Sequence, residues 1–183
     1  TCTVCGNAET AYKATRHILP LEEEYAPVEK TFAPPYAIAN MYSTSARFPH
    51  RVVFQFLSGT VSYVLRTVYN FFFGITYGYQ GLTLSPCIPE AFGDCSVEMT
   101  YLGKCFEISY KKSHTSEKSV YFNGEKWDFK IDENGKIVAF FSDDSLNDKN
   151  KIEIIYYYPR DKQASLVREH SFSVEKNDKL TKN

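Results

Sequence analysis

The sequence predicts an α+β protein, with N-terminal helices over residues 1–81, a C-terminal antiparallel β-sandwich over 82–176 and a polar tail at 177–183. Three observations carry this. Leu57, Val61, Val64, Leu65, Val68, Phe71, Phe72 and Ile75 recur at offsets of three and four, which makes a broad apolar stripe on one face of a helix. Beyond Pro89 the period falls to two, in short runs separated by Gly and Asn-Gly turn signals. Aromatic residues make up 16% of the chain, mostly Tyr and Phe, and these suit a packed β-rich core and equally sugar-stacking surfaces.

A length of 183 residues allows one good core or two small ones. The net charge of −1 and pI near 6.4 give no pull toward nucleic acid or an acidic membrane. Arg66 interrupts the longest apolar window, so no membrane span is expected, and no secretory leader is visible. The chain opens on Thr1 rather than Met, compatible with a piece of a longer protein. Five irregularly spaced cysteines argue for reduced thiols and a cytoplasmic location. Cys2 and Cys5 form a Cys-x-x-Cys pair, which serves as half a zinc site, as a redox pair or as two small apolar helix residues. With no second Cys-x-x-Cys and no His-x₃₋₅-His following, no metal is expected.

Asn7 to Leu19 reads as an amphipathic helix ended by Pro20. Residues 21–35 read as an irregular connection whose Glu22 to Glu24 run is a solvated face. Pro35 to Tyr42 reads as a second helix with Pro near its first position. Arg47, His50 and Arg51 form the only compact cationic group; they are suitable phosphate ligands, or simply a polar surface loop. Ser58-Gly59-Thr60 then opens the long helix and Gly74 stops it. The unpaired N–H groups at that opening, two hydroxyls and a glycine that admits close approach make a phosphate seat, although Ser and Thr also open helices merely as caps. Tyr77 to Gly81 turns the chain. Strands are expected at 97–101, 104–110, 119–122, 125–131, 136–141, 151–158 and 165–174. Trp127, Tyr101, Tyr121 and Tyr156 supply either a sugar-stacking platform or the inward face of the sandwich, and His17, His114 and His170 read as surface groups.

The run FLSGTVSYVLRTVYNFFFGI followed by YGYQGLTLSPCIPEAF resembles the cellobiose and chitobiose phosphorylases of glycoside hydrolase family 94, where the last barrel helix enters the C-terminal β domain. The family pattern has an aromatic-Leu-Thr-Gly-Thr helix start, a Gly-Ile stop, a Tyr-x-Gly-Leu turn and a Pro-Cys-Ile-Pro strand entry. The resemblance covers roughly residues 8–140 and is strong over 56–89. It implies that the helices are the last part of an (α/α)₆ barrel, and that the parent carries out inverting phosphorolysis of a β-glycosidic bond with inorganic phosphate as co-substrate and no other cofactor. In that scheme phosphate attacks the anomeric carbon while one carboxylic acid protonates the leaving oxygen.

The resemblance places Ser58 where the family has a phosphate-contacting Thr, with Gly59 and Thr60 completing the motif. Tyr36 and Asn40 match a family segment reading Glu-Pro-Tyr-x-x-Ala-Gln, and Pro34 stands where its glutamate would be. Arg47-Phe48 agrees with an Arg-rich family loop whose glycines are absent here. The family's general-acid Asp and phosphate-contacting His would both fall ahead of Thr1, so catalytic residues are expected to be missing. The expectation is a non-catalytic C-terminal piece that would meet carbohydrate and phosphate in the parent and form a homo-oligomer through its helices. The rivals are a carbohydrate-binding or scaffolding sandwich with Trp127 at its surface, and a degenerate relative with no ligand.

Overall fold

The computed structural model describes residues 6–19, 32, 38, 41–49, 51–53 and 59–157. Helix α1 spans Ala8–Arg16, capped by the Asn7 side chain, which accepts from Thr10 N at 3.0 Å. Its buried face is Ala8 and Ala11. Beside them the Tyr12 ring meets Phe72 and Phe92 edge-on at 6.5 and 5.6 Å. The expected second helix over 35–42 is corrected at its end. Met41–Tyr42 is a strand, β1, paired antiparallel with β2 at Val52–Val53; Val52, β-branched and buried, favours an extended pairing over a helical turn. Ile38, the one other described residue of that segment, is not helical; the remainder lies outside the described residues, as do the Cys2–Cys5 pair, the strand expected at 165–174 and the tail.

The long helix runs as α2, Thr60–Arg66, and continues as a π-helix over Thr67–Phe72. Its periodicity predicts a buried stripe, yet Val61, Tyr63 and Leu65 are 46%, 69% and 56% exposed, and burial arrives only at Phe72. Gly74 ends it at φ +68, where a Cβ would lie 2.1 Å from the Ser85 carbonyl. No closed helical barrel is present among the described residues.

Ile75 is a strand residue rather than the last of the helical stripe. Strands β3 (Ile75–Gly78) and β4 (Gly81–Leu84) form a hairpin. The chain continues through β5 (Cys95–Tyr101), β6 (Lys104–Lys112), β7 (Ser119–Phe122), β8 (Glu125–Lys126), β9 (Phe129–Ile131), β10 (Ile137–Ser142) and β11 (Lys149–Tyr156). These build a four-stranded sheet, β3-β4-β10-β9, and a five-stranded sheet, β5-β6-β11-β7-β8. Leu82, Leu84, Ile137, Ala139 and Phe141 of the first share one core with Phe106, Ile108, Tyr110, Val120, Ile152, Ile154 and Tyr156 of the second.

Two strand expectations change. The sandwich is not wholly antiparallel, because β11 runs parallel to β6 from Lys149↔Cys105 to Tyr156↔Lys112. Alternation reads the same in both directions, so it places Ile152, Ile154 and Tyr156 inward without fixing strand direction. The run 125–131 is broken into β8 and β9, which belong to different sheets. Trp127 is the cause: its backbone N closes onto Val120 O at 2.8 Å, while its ring lies between Phe122 and Phe141 and carries the chain from one sheet to the other.

Gly81, at φ +139, lies against β10 so closely that a Cβ would stand 2.0 Å from Phe141 O. Gly81→Ala is expected to lower stability by about 3 kcal/mol, whereas Gly78→Ala, with nothing within 4 Å of its Cβ, changes it by less than ~0.5 kcal/mol. Urea denaturation of the two variants decides this, and equal midpoints would refute the contact. Burial also lifts the Tyr156 phenol from 10.0 to about 12 and raises Tyr110. Above pH 10 the unfolded chain holds fewer protons than the folded one, so stability falls as pH rises toward 12 and is unaffected by these groups below 10. Alkaline titration followed by near-ultraviolet absorbance and circular dichroism is expected to show these phenols ionising together with unfolding.

Candidate functional site

Ser58 lies outside the described residues, while Gly59 is the N-cap of α2 and Thr60 its first residue. Gly59 is exposed, and its carbonyl accepts from Tyr63 N at 2.8 Å. Its φ of −69 is open to any residue, and a Cβ would meet only the Tyr63 ring at 3.4 Å. Backbone conformation therefore does not require glycine here; what glycine adds is space above the helix's first amides.

The structure brings Arg47 and Arg51 together. Both guanidinium carbons lie over the Phe48 ring, at 5.4 and 5.6 Å, and Arg51 also lies 5.5 Å from the ring of Phe32. The loop that carries them is held by Ser43 N donating to Arg51 O at 2.8 Å and Phe48 N donating to Ser45 O at 3.1 Å. Neither arginine has a carboxylate partner among the described residues. His50, the third member of the cationic group, is outside the described residues, as are Tyr36 and Asn40.

Trp127 has a packing role. Its indole stacks on Phe141 at 5.3 Å and 12°, its edge meets Phe122 at 5.1 Å, and Nε1 donates to Phe140 O at 2.9 Å. Tyr156 is buried, with its hydroxyl donating to Gly93 O at 3.2 Å. The surface platform proposed for Trp127, Tyr101, Tyr121 and Tyr156 is therefore not assembled. Tyr101 is the most exposed of the four, and its ring lies 4.0 Å from that of Tyr77, at 35°.

Tyr77 in turn donates to Asp143 Oδ1 at 2.5 Å, and that bond pushes its phenol from 10.0 to about 12. Sequence inspection missed Tyr77 and Asp143 as a pair. They are 66 positions apart, and no local pattern joins a strand tyrosine to a turn aspartate that distant.

Of the described thiols, Cys87 is buried and pushed up to about 11 by that burial, and Cys95 is raised for the same reason. Both stay protonated at neutral pH, the wrong state for a nucleophile. No three His, Cys, Asp or Glu side chains stand close enough to hold a metal among the described residues. A shallow concavity of about 550 Å³ on the outer face of the five-stranded sheet is lined by Glu98, Cys105, Glu107 and Lys151. Glu98 and Glu107 face each other across the ladder, and Lys151 Nζ neutralises Glu107 at 3.1 Å. Lys149 lines the same concavity, so it is a mixed-charge sheet surface.

No described helix is long and apolar enough to cross a membrane. No family model matches the chain. It is 28% identical over 116 residues to the solabiose phosphorylase of Paenibacillus borealis, covering 62% of this chain and 15% of that protein. It is 29% identical over 105 residues to the N,N'-diacetylchitobiose phosphorylase of Vibrio furnissii, and 29% over 101 residues to that of Vibrio proteolyticus. The chain thus spans only 13 to 15% of the length of these curated relatives. Over more than half of its own length it is similar to disaccharide phosphorylases, as its helix–turn–strand motif implies.

Proposed function

We propose that this chain serves as the C-terminal part of a carbohydrate-active protein resembling the inverting phosphorylases of glycoside hydrolase family 94, and that it does not catalyse phosphorolysis by itself. The similarity to phosphorylases over 53 to 62% of the chain is the observation that carries the proposal. The helical part, in this reading, is the end of an (α/α)₆ barrel in a cytoplasmic enzyme, and the sandwich anchors it. Inorganic phosphate is the co-substrate, seated on the amides and hydroxyls of Ser58, Gly59 and Thr60 with Arg47, His50 and Arg51 contributing positive charge. An anionic nucleophile needs no base to activate it, so the second requirement is an acid for the leaving oxygen. By resemblance that acid is an Asp lying ahead of Thr1 in the parent.

The uncovered side chains of α2 support an incomplete body. Val61, Tyr63 and Leu65 place apolar surface in water on the same two turns that lead into the phosphate seat. A second copy of the chain is the occupant available to the isolated protein, so self-association through α2 follows.

Three measurements test this. In light scattering the protein is expected to have the mass of a dimer or larger species at tens of micromolar, and Leu65→Asp to shift it to monomer; a wild-type monomer throughout would count against the uncovered-helix argument. Phosphate titration followed by amide NMR is expected to move the Gly59 and Thr60 signals saturably, with Ser58→Ala weakening the response at least about 10-fold, the worth of one hydrogen bond to a charged group. Phosphate shifts scattered over the surface, or unchanged by Ser58→Ala, would remove the phosphate seat. Phosphorolysis of cellobiose or N,N'-diacetylchitobiose by this chain alone would overturn the non-catalytic assignment.

A further inference from the structure

Three turns meet at one end of the sandwich: Tyr79–Gln80 between β3 and β4, Leu102–Gly103 between β5 and β6, and the single 3₁₀ turn Asp143–Ser145 after β10. They are tied together by polar contacts. Asp143 N donates to Gln80 O at 3.1 Å, and Lys104 Nζ donates to both Asp143 O and Leu146 O at 3.1 Å. Tyr77 donates to Asp143 Oδ1 at 2.5 Å and stacks beneath Tyr101 at 4.0 Å. The result is a braced corner whose outer ring, Tyr101, remains 39% exposed, with Tyr79 fully exposed in the β3–β4 turn.

We propose that this corner binds an oligosaccharide, with one sugar ring lying on Tyr101 and its hydroxyls bonding to Asp143 and Gln80. The argument is one of chemistry left unused. Tyr110, Tyr156 and Trp127 of the sandwich spend their polar ends on backbone carbonyls. Here the Tyr101 hydroxyl, Asp143 Oδ2 and the Gln80 amide have no partner among the described residues. An exposed ring on a corner that also carries a carboxylate and an amide side chain offers the two things a pyranose needs, a surface for its C–H face and polar groups for its hydroxyls.

The geometry disfavours the other ligand that aromatics with a carboxylate attract, an organic cation. A cation is held by rings set at steep angles as walls of a box, whereas these two planes are only 35° apart and offer a single outer face. The Lys104 ammonium, bonded to the Asp143 carbonyl, also repels positive charge. The Tyr77–Asp143 bond accounts for Tyr77 as a brace between β3 and the turn after β10. It leaves the exposure of Tyr79 and Tyr101 unaccounted for.

The choice of β-linked ligands rests on the phosphorylase-like reading above. The protein is titrated with cellotetraose, chitotetraose and, separately, tetramethylammonium, and read by amide NMR. Saturable shifts at Tyr79, Tyr101 and Asp143 are expected with an oligosaccharide, with a midpoint on the order of 1 mM. Tyr101→Ala is expected to weaken binding at least about 5-fold, the worth of one aromatic stack, and Tyr101→Phe to retain it. Should Tyr101→Ala lower the melting temperature, Tyr79→Ala, at a fully exposed turn position, carries the same test. Absence of saturation with both sugars, shifts confined to α2, undiminished binding by a folded Tyr101→Ala, or binding of tetramethylammonium instead would each overturn the proposal. Phosphate shifts at Gly59 report on the phosphorylase-like reading independently, so sugar shifts at the corner without them would sustain this site and sink that one.

Discussion

The fold depends on how the last turn of the long helix is joined to the sandwich. A helix leaves its final carbonyls without intrahelical partners, and here the β part supplies them. Cys87 N donates to Phe72 O and Ser85 N to Gly74 O, both at 2.9 Å, and the Tyr110 hydroxyl donates to Phe73 O at 2.8 Å. Each such bond contributes about 1 kcal/mol net, but their greater effect is geometric. The π-helical register over Thr67–Phe72 lets the adjacent Phe72 and Phe73 both engage the β part. Phe73 lies on Tyr110 at 5.5 Å, and Phe72 and Phe92 continue the aromatic chain to Tyr12 of α1. Gly74 is forced by this closeness, and so are the path into β3 and the position of α1.

What the sequence made legible is what local rules control. The α1 helix with its Asn cap, the Gly74 stop, the hairpins at Gly103 and Asn123-Gly124, and the inward set of β11 all follow from period, capping and turn chemistry. Ile75 fits both a helical and a strand period, and only Gly81 pressed against Phe141 decides for the strand. The parallel β6–β11 pair and the sheet change at Trp127 are relations between distant segments, which alternation does not encode. The apolar stripe of α2 says that a face is suited to burial without saying what buries it. Val61 and Leu65 therefore remain in water. At the candidate sites the same division holds: Gly59 at a helix start was legible, and the pairing of Tyr77 with Asp143 was not.

The sandwich core is built for order. Burial raises the Cys87 and Cys95 thiols and the Tyr110 and Tyr156 phenols, so each keeps its proton at neutral pH. Buried polar groups are satisfied: Asn150, 3% exposed, accepts from Asn147 N at 2.8 Å and donates to Asn147 O at 2.7 Å and Cys105 O at 3.3 Å. Paired in this way, a buried amide fixes the turn before β11 instead of destabilising it.

Within the sandwich the tyrosines divide by what their hydroxyls do. Tyr110 and Tyr156 are buried and spend their hydroxyls on the part-buried carbonyls of Phe73 and Gly93, so removing either leaves an unmet acceptor. Tyr79 and Tyr101 touch no such carbonyl, and their loss removes little from the core. Keeping large apolar rings in water adds nothing to folding and carries a risk of aggregation. Tyr77 stands between the two groups, since its hydroxyl braces β3 to the turn after β10 while its ring supports Tyr101 from beneath. The brace fixes the outer ring before any ligand arrives, and a preset ring loses little rotamer freedom on binding.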